Sequence, residues 1–229
     1  MLAPSGKKTE SLVDCFHDLE LTFSVVTETW FHQCERLQRW KTDLHGEHGL
    51  STIDRMRKKN GQSNPGGGVS TVYNKNKIKL KEHKIARGRF ELVAATGKIP
   101  NNTRPFYIIG AYLSTRLRAK SYHEFMSCLS YIILRIKTDV TNPYIVIAGD
   151  FNRRKLAEAI GDYPDITTVT TGATRGAAIL DEVATSFNDE LVGMATHDPL
   201  TTQDGRQSDH AVISFEYELK HNHQFKWVR

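Results

Sequence analysis

The sequence is poor in cysteine and has no long apolar segment. Its three cysteines, Cys15, Cys34 and Cys128, lie far apart and form no Cys-x-x-Cys pair. This argues against a disulfide framework or a zinc site and favours a reducing compartment. Because no apolar run approaches the length that spans a bilayer, and no signal peptide is recognisable, we expect a soluble protein without a membrane partner.

A linker is lacking as well, since no Ser/Gly-rich stretch divides the 229 residues. We therefore expect one domain over residues 1–220, followed by a basic and aromatic tail over residues 221–229. Hydrophobic residues make up 39% and charged residues 25% of the chain, which is ordinary for a globular protein and argues against disorder. The net charge of +5 favours a polyanionic partner, although a modest basic excess is also typical of a solvated surface.

Apolar periodicity predicts an alternation of strands and helices. Residues 5–20 and 122–140 carry apolar side chains at helical spacing, and residues 156–160 suggest a brief helix. Strands are predicted at 21–30, 69–73, 78–83, 90–96, 106–112, 145–148, 166–171, 177–186 and 211–219. Loops and short helices are expected over residues 31–64. The strand–helix–strand order from Tyr107 to Ala148 indicates an α/β fold with helices outside the sheets.

Several predicted strands end in a polar side chain that can bind a metal ion or a phosphate. Asp150 and Asn152 follow the apolar run 145–148, and Gly149 is expected to let the backbone turn there. Glu28 and Tyr112 also lie at the ends of predicted strands, Asp181 interrupts the predicted strand 177–186, and Asp209 and His210 come just before the strand 211–219. Each alone has an ordinary explanation, such as a capped turn, a surface position or a packed tyrosine. Together they have the composition that metal-assisted phosphodiester hydrolysis requires.

These residues lie in sequence blocks that resemble one known family. In chain order the blocks are V-V-T-E-T-W (25–30), I-G-A-Y (109–112), I-V-I-A-G-D-F-N (145–152), I-L-D-E-V (179–183) and S-D-H (208–210). Their order and spacing resemble the endonuclease/exonuclease/phosphatase superfamily, which includes deoxyribonuclease I and apurinic-site repair endonucleases. T-R-G at 174–176 and F-K-W-V-R at 225–229 look most like the endonuclease domain of non-LTR retrotransposons. The resemblance implies a four-layer α/β/β/α sandwich of two mixed sheets flanked by helices.

The resemblance also implies catalytic roles for five residues. Tyr112 and Asn152 would position the scissile phosphate or its attacking water, and Asp150 would be the base that activates this water. Asp181 would orient His210, whose imidazole contacts the phosphate and stabilises its developing charge. The leaving group would be a 3′-hydroxyl.

Metal and DNA contacts follow from the same resemblance. Glu28 would bind Mg²⁺, with Mn²⁺ as a substitute, and Asp209 would lie nearby. The residues expected to contact double-stranded DNA are Ser114, Arg153, Thr174 and Arg175. We interpret the segment 170–175 as part of a hairpin whose Arg175 approaches a DNA groove. A reverse transcriptase region in the same full-length polypeptide and a nuclear location are further expectations.

Two features depart from the family's pattern. The family's first strand ends in an asparagine at the metal site, whereas this chain begins Met1-Leu2-Ala3-Pro4, so we expect that strand to be truncated. The usual Y-x-P-P is Tyr112-Leu113-Ser114-Thr115 here. Three alternative functions therefore stay open. The chain could be a repair endonuclease for abasic sites, a phosphatase acting on inositol phosphates or lipids, or a DNA-binding module with impaired catalysis.

Overall fold

The computed structural model describes residues 6–29, 34–44, 46–53, 67–87, 90–152, 154–169, 172–201 and 210–219. Its helices are α1 (Gly6–Asp18), α2 (Cys34–Asp43), α3 (Ala119–Asp139) and α4 (Leu156–Ala159), with a short 3-10 helix at Asn188–Glu190. Its strands are β1 (Phe23–Thr27), β2 (His48–Ile53), β3 (Val69–Asn74), β4 (Lys79–Arg87), β5 (Glu91–Lys98), β6 (Phe106–Tyr112), β7 (Tyr144–Asp150), β8 (Thr167–Thr168), β9 (Asp181–Thr185), β10 (Leu191–His197) and β11 (Val212–Tyr217). Within these ranges, none of the helices is long and apolar enough to cross a membrane.

The larger sheet brings the ends of three strands side by side. It has six strands in the order β4-β5-β6-β7-β9-β8. The strands β6 and β7 are parallel because α3 carries the chain back between them, and β9 pairs with β7 in the antiparallel direction. In this register Tyr112 pairs with Asp150, and Asp150 pairs with Asp181. Three predicted site residues therefore lie in one row across neighbouring strands.

A smaller sheet, in the order β1-β3-β2, packs face to face on the larger one. Phe106 and Ile108 of β6 and Val146 of β7 are buried between the sheets, where they meet Phe23 and Val25 of β1. The strands β10 and β11 form a separate two-stranded sheet. An apolar interior shared by two sheets is the arrangement of a β-sandwich.

Helices cover the outer face of each sheet. On one side, Phe125 and Leu129 of α3 pack with Ile109 of β6 in the largest apolar cluster. On the other side, Phe16 of α1 packs with Val72 of β3. Side chains along a strand alternate between faces, so each sheet contributes to two apolar layers. The fold is therefore the α/β/β/α sandwich that the resemblance implied.

Most of the predicted elements are confirmed. The strand at 106–112 and the helix over 122–140 correspond to β6 and α3. The strands β2 and β10 were not predicted, because β2 carries His48, Gly49 and Ser51 and β10 is largely exposed. The predicted strand over 166–171 is shorter: in the described part of that segment Thr167–Thr168 pair with β9, and the N–H of Val169 donates to the carbonyl oxygen of Val183.

The expectation that Gly149 turns the chain is wrong. Gly149 lies inside β7, opposite Ala111 of β6, with a φ of +156°. A Cβ atom at this position would lie 1.8 Å from the Ala111 carbonyl oxygen. Glycine is required because two backbones approach closely, and the chain leaves the sheet only after Asp150.

We predict that Gly149→Ala lowers the free energy of unfolding by at least about 3 kcal/mol, because a backbone atom occupies the space that a Cβ needs. The shift of the urea midpoint at constant m-value measures this change. Gly46→Ala is the matched control, since nothing lies within 4 Å of a Cβ there. Equal midpoints for the two variants would contradict the prediction.

Candidate active site

Asp150 lies buried at the centre of a cluster of polar side chains at the end of the six-stranded sheet. It is only 2% exposed, and its Oδ1 accepts a hydrogen bond of 2.9 Å from the backbone N–H of Asn152. Burial and the neighbouring charge of Asp181 raise the pKa of Asp150 to about 7, with a smaller contribution from Glu28 and an opposing one from His210. A carboxyl group whose pKa lies near neutrality is suited to accept a proton during catalysis.

Asn152 ties the loop after β7 to the loop after β6. Its side-chain amide donates a 2.6 Å hydrogen bond to the carbonyl oxygen of Leu113, and the Leu113 N–H donates to the carbonyl oxygen of Asp150 at 2.9 Å. Asn152 has a φ of 52°, a left-handed conformation that asparagine tolerates better than most residues. The carbonyl group of Leu113 was not predicted as part of the site, because backbone acceptors leave no signal in the residue types.

Glu28 brings the smaller sheet into the site. It follows β1, and its Oε1 accepts a 2.7 Å hydrogen bond from the hydroxyl of Tyr112 at the end of β6. Glu28 also has a left-handed φ of 54°, which is uncommon for a non-glycine residue and often marks a functional position. The two residues are 84 positions apart in the chain, so only the packing of the sheets joins them.

Asp181 and His210 are hydrogen-bonded to each other next to Asp150. The Oδ2 of Asp181 and the Nδ1 of His210 are 2.6 Å apart, and each side chain is about one-fifth exposed. Potential ligand atoms of Asp150, Asp181 and His210 all lie within 4.8 Å of one another. A carboxylate that bonds one imidazole nitrogen fixes both the orientation and the tautomer of the ring.

The donor atoms of this group fit a hard divalent cation. The carboxylates of Glu28 and Asp181 both raise the pKa of Asp150, so like charges converge on one place. A cation between them would offset this repulsion, and carboxylate oxygens are the ligands that Mg²⁺ prefers. Among the described residues, Glu28 would hold such an ion beside the carboxylate of Asp150, with Asp181 and His210 adjacent. Asp209, the other predicted metal ligand, lies outside the described residues.

A cavity of about 350 Å³ lies beside these loops. Its lining residues are Ser114, Thr115, Leu117, Phe151 and Arg154. The guanidinium group of Arg154 lies 4.6 Å from the ring centre of Tyr122, which holds a cation at the cavity wall. Ser114 was predicted to contact DNA, whereas Arg154 was not. Arg153 was also predicted to contact DNA, but it lies outside the described residues.

The other two residues expected to contact DNA differ in exposure. Arg175 is exposed and pairs with Ala178 across a tight turn, in which Gly176 has a left-handed φ of 57°. Thr174 is 3% exposed, and its hydroxyl oxygen accepts backbone hydrogen bonds from residues 180 and 181. The hydroxyl group of Thr174 is thus engaged inside the protein, whereas Arg175 lies on its surface.

Comparison with known proteins defines the class of fold. No family model and no curated protein sequence matches this chain. The solved structure of an endonuclease/exonuclease/phosphatase from Bacteroides vulgatus is 14% identical with a TM-score of 0.68, covering 93% of this chain and 91% of that one. TDP2 from D. rerio, complexed with a single-strand DNA product, is 13% identical with a TM-score of 0.66, covering 93% and 92%.

A third solved structure, the mannosyl-6-phosphatase Bt3783 of Bacteroides thetaiotaomicron, is 9% identical with a TM-score of 0.65, covering 93% of this chain and 91% of that one. The chain therefore has the fold of the endonuclease/exonuclease/phosphatase proteins. These relatives include both a phosphatase and a protein solved with DNA, so the fold alone does not select the substrate.

We predict that in EDTA the wild-type protein loses stability relative to Asp150→Asn as the pH rises from about 4 to about 8. The raised pKa means that the folded state holds the proton of Asp150 more tightly than the unfolded chain does, where the carboxyl group has its usual pKa of 3.8. The stability that this tighter proton binding provides is therefore fully present below pH 3.8 and is lost as the pH rises through about 7.

The free energy of unfolding should fall by at most about 4 kcal/mol relative to Asp150→Asn, at roughly 1.4 kcal/mol per pKa unit. Urea unfolding of both proteins at several pH values measures it. A stability difference that stays constant between these pH values would contradict the assigned environment of Asp150.

Proposed function

We propose that this chain is a divalent-metal-dependent DNA endonuclease that nicks one strand and leaves a 3′-hydroxyl end. The observation that carries the proposal is the convergence of Tyr112, Asp150 and Asp181 in one strand register. Glu28 arrives there from the second sheet, and His210 is joined through Asp181. A base, a phenol, an imidazole and several carboxylates are the groups that phosphodiester hydrolysis uses.

The proposed reaction assigns one task to each residue. Asp150 accepts a proton from a water molecule, whose oxygen attacks the phosphorus as the bond to the 3′-oxygen breaks. Asn152 and Tyr112 position the phosphate and the water. His210, oriented through its Nδ1 by Asp181, contacts the phosphate and stabilises the charge that develops on it. A bound divalent cation would offset the negative charge of the leaving 3′-oxygen.

Three observations support DNA as the substrate. The chain has a net charge of +5, which attracts phosphates of any sequence. The exposed Arg175 and the cavity-lining Arg154 lie on loops beside the site. A structural relative, TDP2 from D. rerio, was solved with a single-strand DNA product. We propose double-stranded DNA as the partner.

We also propose that the nick primes reverse transcription in a non-LTR retrotransposon. The support is the resemblance of the T-R-G segment at 174–176 and of the tail at 225–229 to the endonuclease domains of such elements. In this proposal the full-length polypeptide carries a reverse transcriptase region and acts in the nucleus. Extension of the nicked strand by that polypeptide on its own RNA would test the role. Nicking without extension would leave a nuclease of another kind.

We predict that the protein converts supercoiled plasmid to open circles with Mg²⁺ and not with EDTA. Asp150→Ala and His210→Ala should each lower the rate by at least about 100-fold, because a base and a charge-stabilising group are lost. Gel electrophoresis of timed samples measures the rate. Arg135→Ala is the control, since Arg135 is exposed on α3 and pairs with Asp139. Full activity of either site variant would contradict the assigned roles.

A phosphatase is the second candidate, because one structural relative is a mannosyl-6-phosphatase. Release of phosphate from a soluble monoester, without plasmid nicking, would favour it. A repair endonuclease would cut abasic DNA and leave intact DNA uncut. Tight DNA binding without metal-dependent nicking would instead indicate a binding module.

We predict that Arg175→Ala weakens DNA binding by about 10-fold and lowers the slope of log affinity against log salt by about one, since one phosphate contact is lost. Fluorescence anisotropy with a labelled duplex at several salt concentrations measures both quantities. The same Arg135→Ala control removes one positive charge from a different surface. If the two variants give equal slopes, Arg175 does not contact DNA.

A further inference from the structure

The hydroxyl group of Thr174 holds the backbone of Asp181. Its Oγ1 accepts hydrogen bonds from the N–H of Leu180 at 2.9 Å and from the N–H of Asp181 at 3.1 Å. Thr174 is 3% exposed, so water is a poor substitute for this acceptor. Buried N–H groups without an acceptor are costly, and the backbone would have to shift to satisfy them.

The main chain of Thr174 holds the other side of the pair. Its carbonyl oxygen accepts a 2.8 Å hydrogen bond from the N–H of Ala211, the residue directly after His210. Its own N–H donates to the carbonyl oxygen of Ala178 at 2.9 Å, which closes the turn that follows. Thr174 thus contacts the backbone on both sides of the Asp181–His210 hydrogen bond.

This double attachment matters because Asp181 and His210 are 29 residues apart in the chain. Because a side-chain contact of about 3.6 Å is no longer a hydrogen bond, a shift of about 1 Å in either backbone is enough to weaken this bond, which is 2.6 Å long.

We infer that Thr174 is a positioning residue for the Asp181–His210 pair, acting through the backbone and not by contact with DNA. The inference rests on the proposed nuclease function only for its effect on rate, because the attachment itself is a property of the fold. Two residues of the T-R-G segment then have separate roles. Thr174 holds the Asp181–His210 pair, whereas the neighbouring Arg175 lies on the surface, where DNA can reach it.

The test compares Thr174→Val, which keeps the shape and removes the acceptor, with Thr174→Ser, which keeps the acceptor. Thr185→Val is the matched control, since Thr185 is fully buried at the opposite end of the same strand β9 and its hydroxyl also forms hydrogen bonds. For each variant, kcat and KM are measured on a duplex oligonucleotide with saturating Mg²⁺, together with the thermal midpoint.

We expect Thr174→Val to lower kcat by about 10- to 100-fold with KM within about 3-fold, as misplaced catalytic groups do. Thr174→Ser should restore kcat to within about 3-fold of the wild type. Thr185→Val should lower the thermal midpoint while leaving kcat within about 2-fold. Should the valine variant not fold, Thr174→Ala provides the same comparison.

Three results would overturn the inference. One is an unchanged kcat in Thr174→Val. Another is a raised KM at constant kcat, which would indicate a contact with DNA. The third is an equal loss of kcat in Thr185→Val, which would indicate general destabilisation.

A crystal structure of Thr174→Val separates this inference from the proposed function. The Nδ1–Oδ2 distance of the pair should exceed 3.2 Å, against 2.6 Å in the wild type. If the wild-type protein nicks no DNA, the proposed function fails, and this distance still decides whether Thr174 positions the pair. An unchanged distance would overturn the positioning role.

Discussion

The register of β6, β7 and β9 is the constraint on which the candidate site depends. It sets Tyr112, Asp150 and Asp181 in one row. A slip of one residue would turn each of these side chains to the opposite face of the sheet. The apolar residues beside them on the same strands fix the register, because they must enter the two layers of the core. The geometry of the candidate site therefore follows from hydrophobic packing several residues away.

The same packing brings several carboxylates together in a buried place, where they repel one another. Asp150 is almost fully buried, and the carboxylates of Asp181 and Glu28 lie close enough to raise its pKa. Such a group stabilises the fold less when it is ionised, so the fold tolerates a cost at neutral pH. A cation or a proton in transfer removes this cost. The arrangement that weakens the isolated protein is thus the one that suits it to bind a metal ion and activate water.

The elements that can be predicted from the sequence are those in which apolar residues recur at a regular spacing. The buried run of β6 and the amphipathic pattern of α3 leave little choice of structure, whereas β2 and β10 mix polar and small residues and become strands only through their partners. Polar residues at strand ends located most of the candidate site. Their number mattered more than any one of them, since each alone has an ordinary explanation.

The contacts that the sequence could not predict are those made by long-range packing or by the backbone. The hydrogen bond from Tyr112 to Glu28 joins the two sheets, and the amide of Asn152 bonds a carbonyl group of another loop. Thr174 was predicted to contact DNA because of the segment in which it lies. Its role in holding Asp181 depends on a turn geometry that residue types alone do not specify.

The location of a bound metal ion tests the candidate site most directly. Crystals soaked in Mn²⁺ and measured at the manganese absorption edge show the ion by its anomalous scattering. We expect a peak coordinated by Glu28, next to the carboxylate of Asp150 and close to the Asp181–His210 pair. A fully occupied peak elsewhere on the protein, with none at this place, would show that these residues do not form the metal site.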